Sequence, residues 1–502
     1  MYRKTHLSLI GISALALLFT VVCSLTTQQV IVVTATPGPA SAEMTVTIPE
    51  EFPINTQEVE PGQPTVEGAS PANPTLRPSI PLTAQGQCNV NEAAWVGSFG
   101  YGLNCIDSAG WHTFLAETSS LSGDQIKSIA VCADNRTWIA SSLGVDSTDG
   151  ATWQNYNEAL GRYSSIEAVE CDSKGGVWLA HYKGAHYFDG NIWTAYKSSL
   201  MGTGDFSDQV KDVTVAPDGT VWFVTSNSVA NFDGSAWTIF ETGNGFSKDY
   251  YFTAIAADPK GNIWAAHGSG VWKYDGNSWI NQEGRDFSQV QCLEVDNSGY
   301  LWAGTYSKGL NLYNGQGWIN YNRQNSGLSS NHILSLSSDG DGRIWIGTEW
   351  GLDVFDGKDW KTYHMHNSDL TDNEIYEVAV GGQGPTLPEW IEKDTGSLTG
   401  KIVSGEEGVS NTRVEVCTEY IGMIISGPTP CSDNPLRQET TTGPDGAFLF
   451  AELPVGRYSI ALQTSEGQWM YLTEGFGIGN QDVLVESGKE TNIHYIDISK
   501  KD

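Results

Sequence analysis

Aromatic side chains next to charged or imidazole groups recur along this 502-residue chain. They are Phe99 and Tyr101; His181, Tyr182 and Lys183; His267; Tyr306; and Glu349 and Trp350. Flat rings beside hydrogen-bonding groups suit sugars and amphipathic small molecules. His181 and His267 also have the residue type for acid–base work. No GxSxG elbow, HExxH pair or glycine-rich phosphate loop accompanies them, so binding without catalysis is the first expectation and a lyase a lesser alternative. No CxxC pair offers structural zinc. Asp339-Gly340-Asp341-Gly342 suggests calcium, but the other repeats carry a single Asp there and no EF-hand spacing follows. No metal and no cofactor are expected.

The elements that must position these residues repeat. One Trp recurs at 95, 138, 178, 222, 264, 302 and 345, a mean spacing near 42. A second follows each by 15 or 16 residues, at 111, 153, 193, 237, 279, 318 and 360. Fourteen of the 18 Trp thus belong to one pattern and read as core between repeats. A full unit has an apolar first stretch such as 290–295, an Asp turn, a second stretch at 300–305, a third at 309–313 and a fourth at 318–321. Asp-Gly or Asn-Gly before the fourth stretch suits two-residue hairpin turns with positive φ. Four short antiparallel strands per unit predict an all-β, seven-bladed propeller over 89–384. The first unit lacks its first strand, so the late stretch 375–380 should complete it and close the ring. Trp390 has no partner and adds no eighth blade.

The units 339–357 and 296–315 resemble two-component regulator propeller repeats. That family is similar to periplasmic ligand-sensing propellers placed before hybrid histidine kinases, and no kinase sequence follows here. The resemblance implies extracytoplasmic recognition rather than phosphorelay. Residues 385–395 read as a linker, and 396–499 as a second β-domain with Pro-Asp-Gly and Pro-x-Gly turns. Its motifs 440–450 and 453–462 resemble the carboxypeptidase regulatory-like domain, which implies a prealbumin-like β-sandwich with an accessory, non-catalytic role.

Strand order assigns the candidate residues one face. In a four-stranded meander, the loop between strands two and three and the crossover to the next blade share a side. The second–third loops carry the residues named above together with Lys308, and the crossovers carry Tyr250, Tyr251, His364 and His366. Variable loops on a rigid ring are where binding groups collect. The expected partner is an extracellular small molecule or glycan, or, for a scaffold role, a partner protein; the chain is expected to act as a monomer.

Arg3 and Lys4 precede a charge-free run at 7–25, which reads as a signal peptide or membrane anchor over 1–25. Cys23 is a lipidation candidate, although Val22 departs from the small residue a lipobox carries there. Residues 26–88 hold ten of the 19 prolines and read as a disordered tether. The body of the protein is therefore expected outside the cytoplasm. There, Cys417 and Cys431 form a candidate disulfide, Cys88 and Cys105 a weaker one, and Cys132, Cys171 and Cys292 read as buried thiols. Asp plus Glu is 59 against 27 Lys plus Arg, a net charge of −32, which excludes phosphate-neutralising nucleic-acid binding.

Overall fold

The repeat folds as its alternation dictates. The computed structural model describes residues 33–37 and 42–47 and then 87–498, apart from 161–165, 202–208, 242–245, 247–250, 269, 283–288, 419–428, 430, 432–433, 435, 466 and 472–482. Seven antiparallel sheets form a ring, six of four strands and one, blade four, of four strands extended to six by an added hairpin. Their innermost strands are Ile126–Val131, Ile166–Cys171, Val210–Val215, Phe252–Ala257, Val290–Val295, Ile333–Ser338 and Ile375–Val380. These belong to blades two to seven and then blade one. Ile375–Val380 pairs with Ala94–Ser98, so the C-terminal end of the repeat region closes blade one. Each inner strand packs beside the next around a central channel.

Aromatic and aliphatic side chains fill the spaces between blades. Trp95, Trp237 and Trp345 are fully buried. Trp178 packs on Tyr196 of its own blade and on Phe223 of the next. Small residues near the end of the second strands let the blades approach: a Cβ on Gly304 would stand 2.6 Å from an Ile333 methyl of blade seven.

The turns at the opposite end of each blade consume their acids. Asp296 accepts from the backbone N–H of Ser298 (2.9 Å) and Tyr300 (3.0 Å) and from Trp302 Nε1 (2.9 Å). Asp339 does the same for Arg343 N (2.9 Å) and Trp345 Nε1 (2.8 Å), and also takes Arg343 Nε at 2.6 Å. Its carboxylate is thereby committed to protein donors. The Asp-Gly turns are wider than the two-residue form. Phe188 pairs with Trp193 across a four-residue loop, in which the Asp189 carboxylate accepts from Asn191 N (2.8 Å) and Ile192 N (2.9 Å). An acceptor that reaches two and three residues ahead holds the longer loop open, and Gly190 supplies the positive φ of 97°.

Residues 396–498 form two sheets around a core that includes Leu398, Ile402, Val414, Phe448 and Tyr458. The 385–395 segment is strapped along the outer strand of blade seven. Tyr363 Oη donates to Pro388 O (2.7 Å), and Trp390 Nε1 donates to Thr362 O (2.9 Å).

Three disulfides occur among the described residues: Cys88–Cys105, Cys132–Cys171 and Cys417–Cys431. Cys132–Cys171 corrects the reading of those two as separate thiols. Cys132 directly follows the inner strand of blade two and Cys171 ends that of blade three, so neighbouring strands bring their Cα atoms to 5.5 Å. Cys292 keeps a free thiol. The tether expectation needs a second correction. Val33–Pro37 and Ala42–Thr47 form a hairpin that pairs with Ala236–Glu241, the outer strand of blade four. The alternating Val and Thr of this stretch have the β propensity for it. The rest of 26–86 and residues 1–32, with Cys23, lie outside the described residues.

Candidate ligand-binding site

The inner strands share an irregularity that builds a site. In every blade the ladder between strands one and two skips the second residue of strand one. Such a bulge leaves one residue unpaired and re-aims its side chain. The seven bulged residues are Tyr376, Lys127, Glu167, Lys211, Thr253, Gln291 and Leu334, in blade order. Each sits at the crossover end of its strand, on the face of the second–third loops. All but Tyr376 line the mouth of a central channel of about 660 Å³. Tyr376 lies at the rim, stacked on Phe99 at 4.9 Å, and the Lys127 ammonium lies 5.6 and 5.7 Å from these two rings. The ring scaffold repeats, whereas this set of side chains does not.

A second rim cluster stands between blades six and seven. Tyr306, 45 % exposed, packs on His332 at 4.3 Å. His332 Nδ1 lies 3.1 Å from Glu349 Oε2, and Ser330 Oγ donates to Glu349 Oε1 at 2.8 Å. This face therefore carries rings on blades six, seven and one, with Glu349 among them, and the charged Lys127, Glu167 and Lys211 on blades two to four.

Below the mouth the channel walls are acidic. Inner strands have no pairing neighbour on the channel side, so their N–H groups need other acceptors. Polar side chains of the preceding blade provide some of them. Ser128 Oγ accepts from Val169 N (3.1 Å), Asp212 from Ile255 N (2.9 Å), Glu294 from Ser338 N (3.0 Å) and Ser335 from Val378 N (3.0 Å). Burial holds these carboxyls towards their neutral form: it pushes Asp212 and Glu294 up to about 7. Glu170 and Glu377 are pushed to about 8, first by burial and then by the charges of Asp212 and Glu294.

Several expected ligand residues lie elsewhere. His181 and His267 end the second strands rather than sitting in loops, and they are 2 % and 1 % exposed. His181 packs against His186 at 4.8 Å, and His267 against Phe252 at 4.7 Å. Burial drops His181 to about 3, which keeps it neutral. Trp350 is also buried, because Arg323 from the six-to-seven crossover lies over its ring at 4.1 Å. His364 and His366 stack on each other at 4.8 Å, and burial pushes His364 down to about 4. Tyr182 and Lys183 remain in their loop, with the ammonium 5.2 Å from the ring centre. Lys308 and Tyr251 are exposed; Tyr250 lies outside the described residues. Tyr101 is engaged by the C-terminal domain, whose Arg457 guanidinium sits 3.3 Å over its ring.

Sequence reasoning missed Lys127, Glu167, Lys211 and Tyr376. A usable signal was present. The second residue of each first stretch changes between basic, acidic, polar, aliphatic and aromatic types from repeat to repeat, while the first and fourth stay apolar.

Residues 327–350 match the two component regulator propeller family. No curated protein matches the chain. Among solved structures, the chain is similar to the extracellular domain of BT3049, a hybrid two-component system protein of B. thetaiotaomicron. The identity is 12 %, over 81 % of this chain and 68 % of that one, with a TM-score of 0.43. It is also similar to virginiamycin B lyase from Staphylococcus aureus, at 11 % identity over 52 % and 89 % of the two chains and a TM-score of 0.43. PorZ, a surface component of the type-IX secretion system of Porphyromonas gingivalis, matches at 14 % identity over 74 % and 67 %, with a TM-score of 0.32. Among the described residues, no helix is long and apolar enough to cross a membrane.

Proposed function

We propose that this protein is an extracytoplasmic, membrane-tethered binding propeller that takes a small molecule or glycan at the mouth of its channel, without catalysis. One observation carries the reading: seven bulges, one per blade, place residues of six different types at one end of an otherwise repetitive ring, and six of these residues line a single opening. The exposed rings of Phe99 and Tyr306 beside Lys127 and Glu349 give that opening stacking surfaces and polar partners. The disulfides support an oxidising compartment. The apolar run at 7–25, with Arg3 and Lys4 before it, supports an N-terminal anchor, through Cys23 lipidation or as a signal anchor. The carboxypeptidase regulatory-like motifs support an accessory role for the C-terminal sandwich. His181 and His267, the two candidate acid–base groups, are buried at the ends of their second strands, which supports binding without catalysis.

The test is retention of glycans and small molecules on an array by purified residues 88–502, with product analysis of every hit. A Phe99→Ala/Tyr376→Ala double variant should lose retention while its melting temperature stays close to that of the parent. Unchanged retention by that variant contradicts the mouth as the site, and turnover of a retained compound contradicts a purely binding role.

A further inference from the structure

The loop 99–102 joins the two domains at the rim. At one end Phe99 stacks on Tyr376 beneath Lys127. Two residues on, Tyr101 lies beneath Arg457 of the sandwich. Two residues of extended chain span about 7 Å at most. The two cation–aromatic pairs are therefore carried by one short loop.

The sandwich is seated here by more than this stack. Arg457 Nε donates to Thr371 O (3.4 Å), in the crossover from blade seven to blade one. Val455, two residues earlier, is buried in a cluster with Ala94, Leu352 and Leu370 of blades one and seven. Tyr101 and Thr371 thus fix the plane and one edge of the guanidinium. Among the described residues, its two terminal nitrogens have no hydrogen-bond partner and Arg457 forms no ion pair; Lys127 likewise forms none. A chain with 59 acidic residues against 27 Lys plus Arg supplies abundant carboxylates. A half-buried guanidinium that is oriented by two contacts and still presents its fork is arranged to receive an oxyanion from outside.

We propose that Arg457 contacts the ligand directly and selects one carrying an oxyanion, a carboxylate or a phosphate, with Lys127 as the second cation across the aromatic loop. The sandwich then completes the propeller's site rather than merely following it in sequence. The proposal rests on the mouth being the binding site.

The experiment uses the full chain on three matched probe sets: uronate oligosaccharides, phosphorylated sugars and their neutral counterparts. The native protein should retain one acidic set at least about tenfold more strongly than its neutral counterpart. Arg457→Gln should bring retention of the acidic set down to that of its neutral counterpart. Arg457→Lys, which keeps the charge but not the planar fork, should keep part of the preference. The acidic set retained identifies the oxyanion. Equal retention of acidic and neutral probes by the native protein overturns the proposal, as does an undiminished preference in Arg457→Gln. Both results leave the mouth reading intact, because only the Phe99→Ala/Tyr376→Ala variant tests that. Melting temperatures of the three proteins separate loss of contact from loss of docking.

Discussion

The two faces of one ring use the same residue types for different ends. On the turn face, acids repeat at equivalent places and are satisfied by the protein itself. Asp189, Asp233, Asp275 and Asp356 each accept two backbone N–H bonds from their own loop. On the loop face, the bulged residues change from blade to blade, and Lys127 lies against the rings of Phe99 and Tyr376. Repetition thus marks what holds the ring together, and its failure marks what the ring presents. The contrast also separates stability from binding, so each can be disturbed alone.

The largest effect should come from the turn-face network. Trp345→Ala removes a fully buried ring and the donor to Asp339, and should cost about 3–5 kcal/mol in chemical denaturation. Ligand retention below the melting transition should persist. Next in size is the cross-blade disulfide. Cys132→Ser/Cys171→Ser opens a 39-residue separation and should destabilise by roughly 4 kcal/mol in the chain-entropy account, again without loss of binding. Loss of binding in either variant would break the separation.

Acidity provides a third, smaller perturbation. The folded pKa values of Glu170, Asp212, Glu294 and Glu377 lie at about 7 to 8, above those of ordinary carboxyls. Between about pH 4.5 and 8 the folded state therefore holds protons that the unfolded chain has released, and stability falls as pH rises through that window. Below it the turn acids act with the opposite sign: their own loop N–H bonds hold Asp233 and Asp356 below the usual range. Melting temperature should thus peak in mild acid. Glu170→Gln should raise it at pH 8 and leave it unchanged near pH 5; an equal shift at both would contradict burial of the charge. The smallest effect expected is that of His267→Gln on binding, which should be none.

The legibility of the fold in the sequence follows the same division. Blade number, strand order and closure by Ile375–Val380 were readable because Trp and Asp recur with the period of the backbone. What a single repeat does not contain was not readable. Cys132 and Cys171 meet only because neighbouring inner strands run side by side. Trp350 looks like an exposed loop ring until Arg323 of the adjoining crossover covers it. Tyr101 looks free until Arg457, more than 350 residues later, stacks on it. His181 and His267 were misplaced by one or two positions, enough to move them from a loop onto the buried end of a strand. The bulges decide the site, yet they are a property of register and leave only a faint trace in composition.

Hydrogen–deuterium exchange with and without a compound retained on the array tests the central claim most directly. The account predicts new protection at 99–102, 125–128 and 374–377, with none at the turn-face segments 339–343 and 356–359. Protection confined to those turn segments, or absent from the mouth while the compound stays bound, would contradict it.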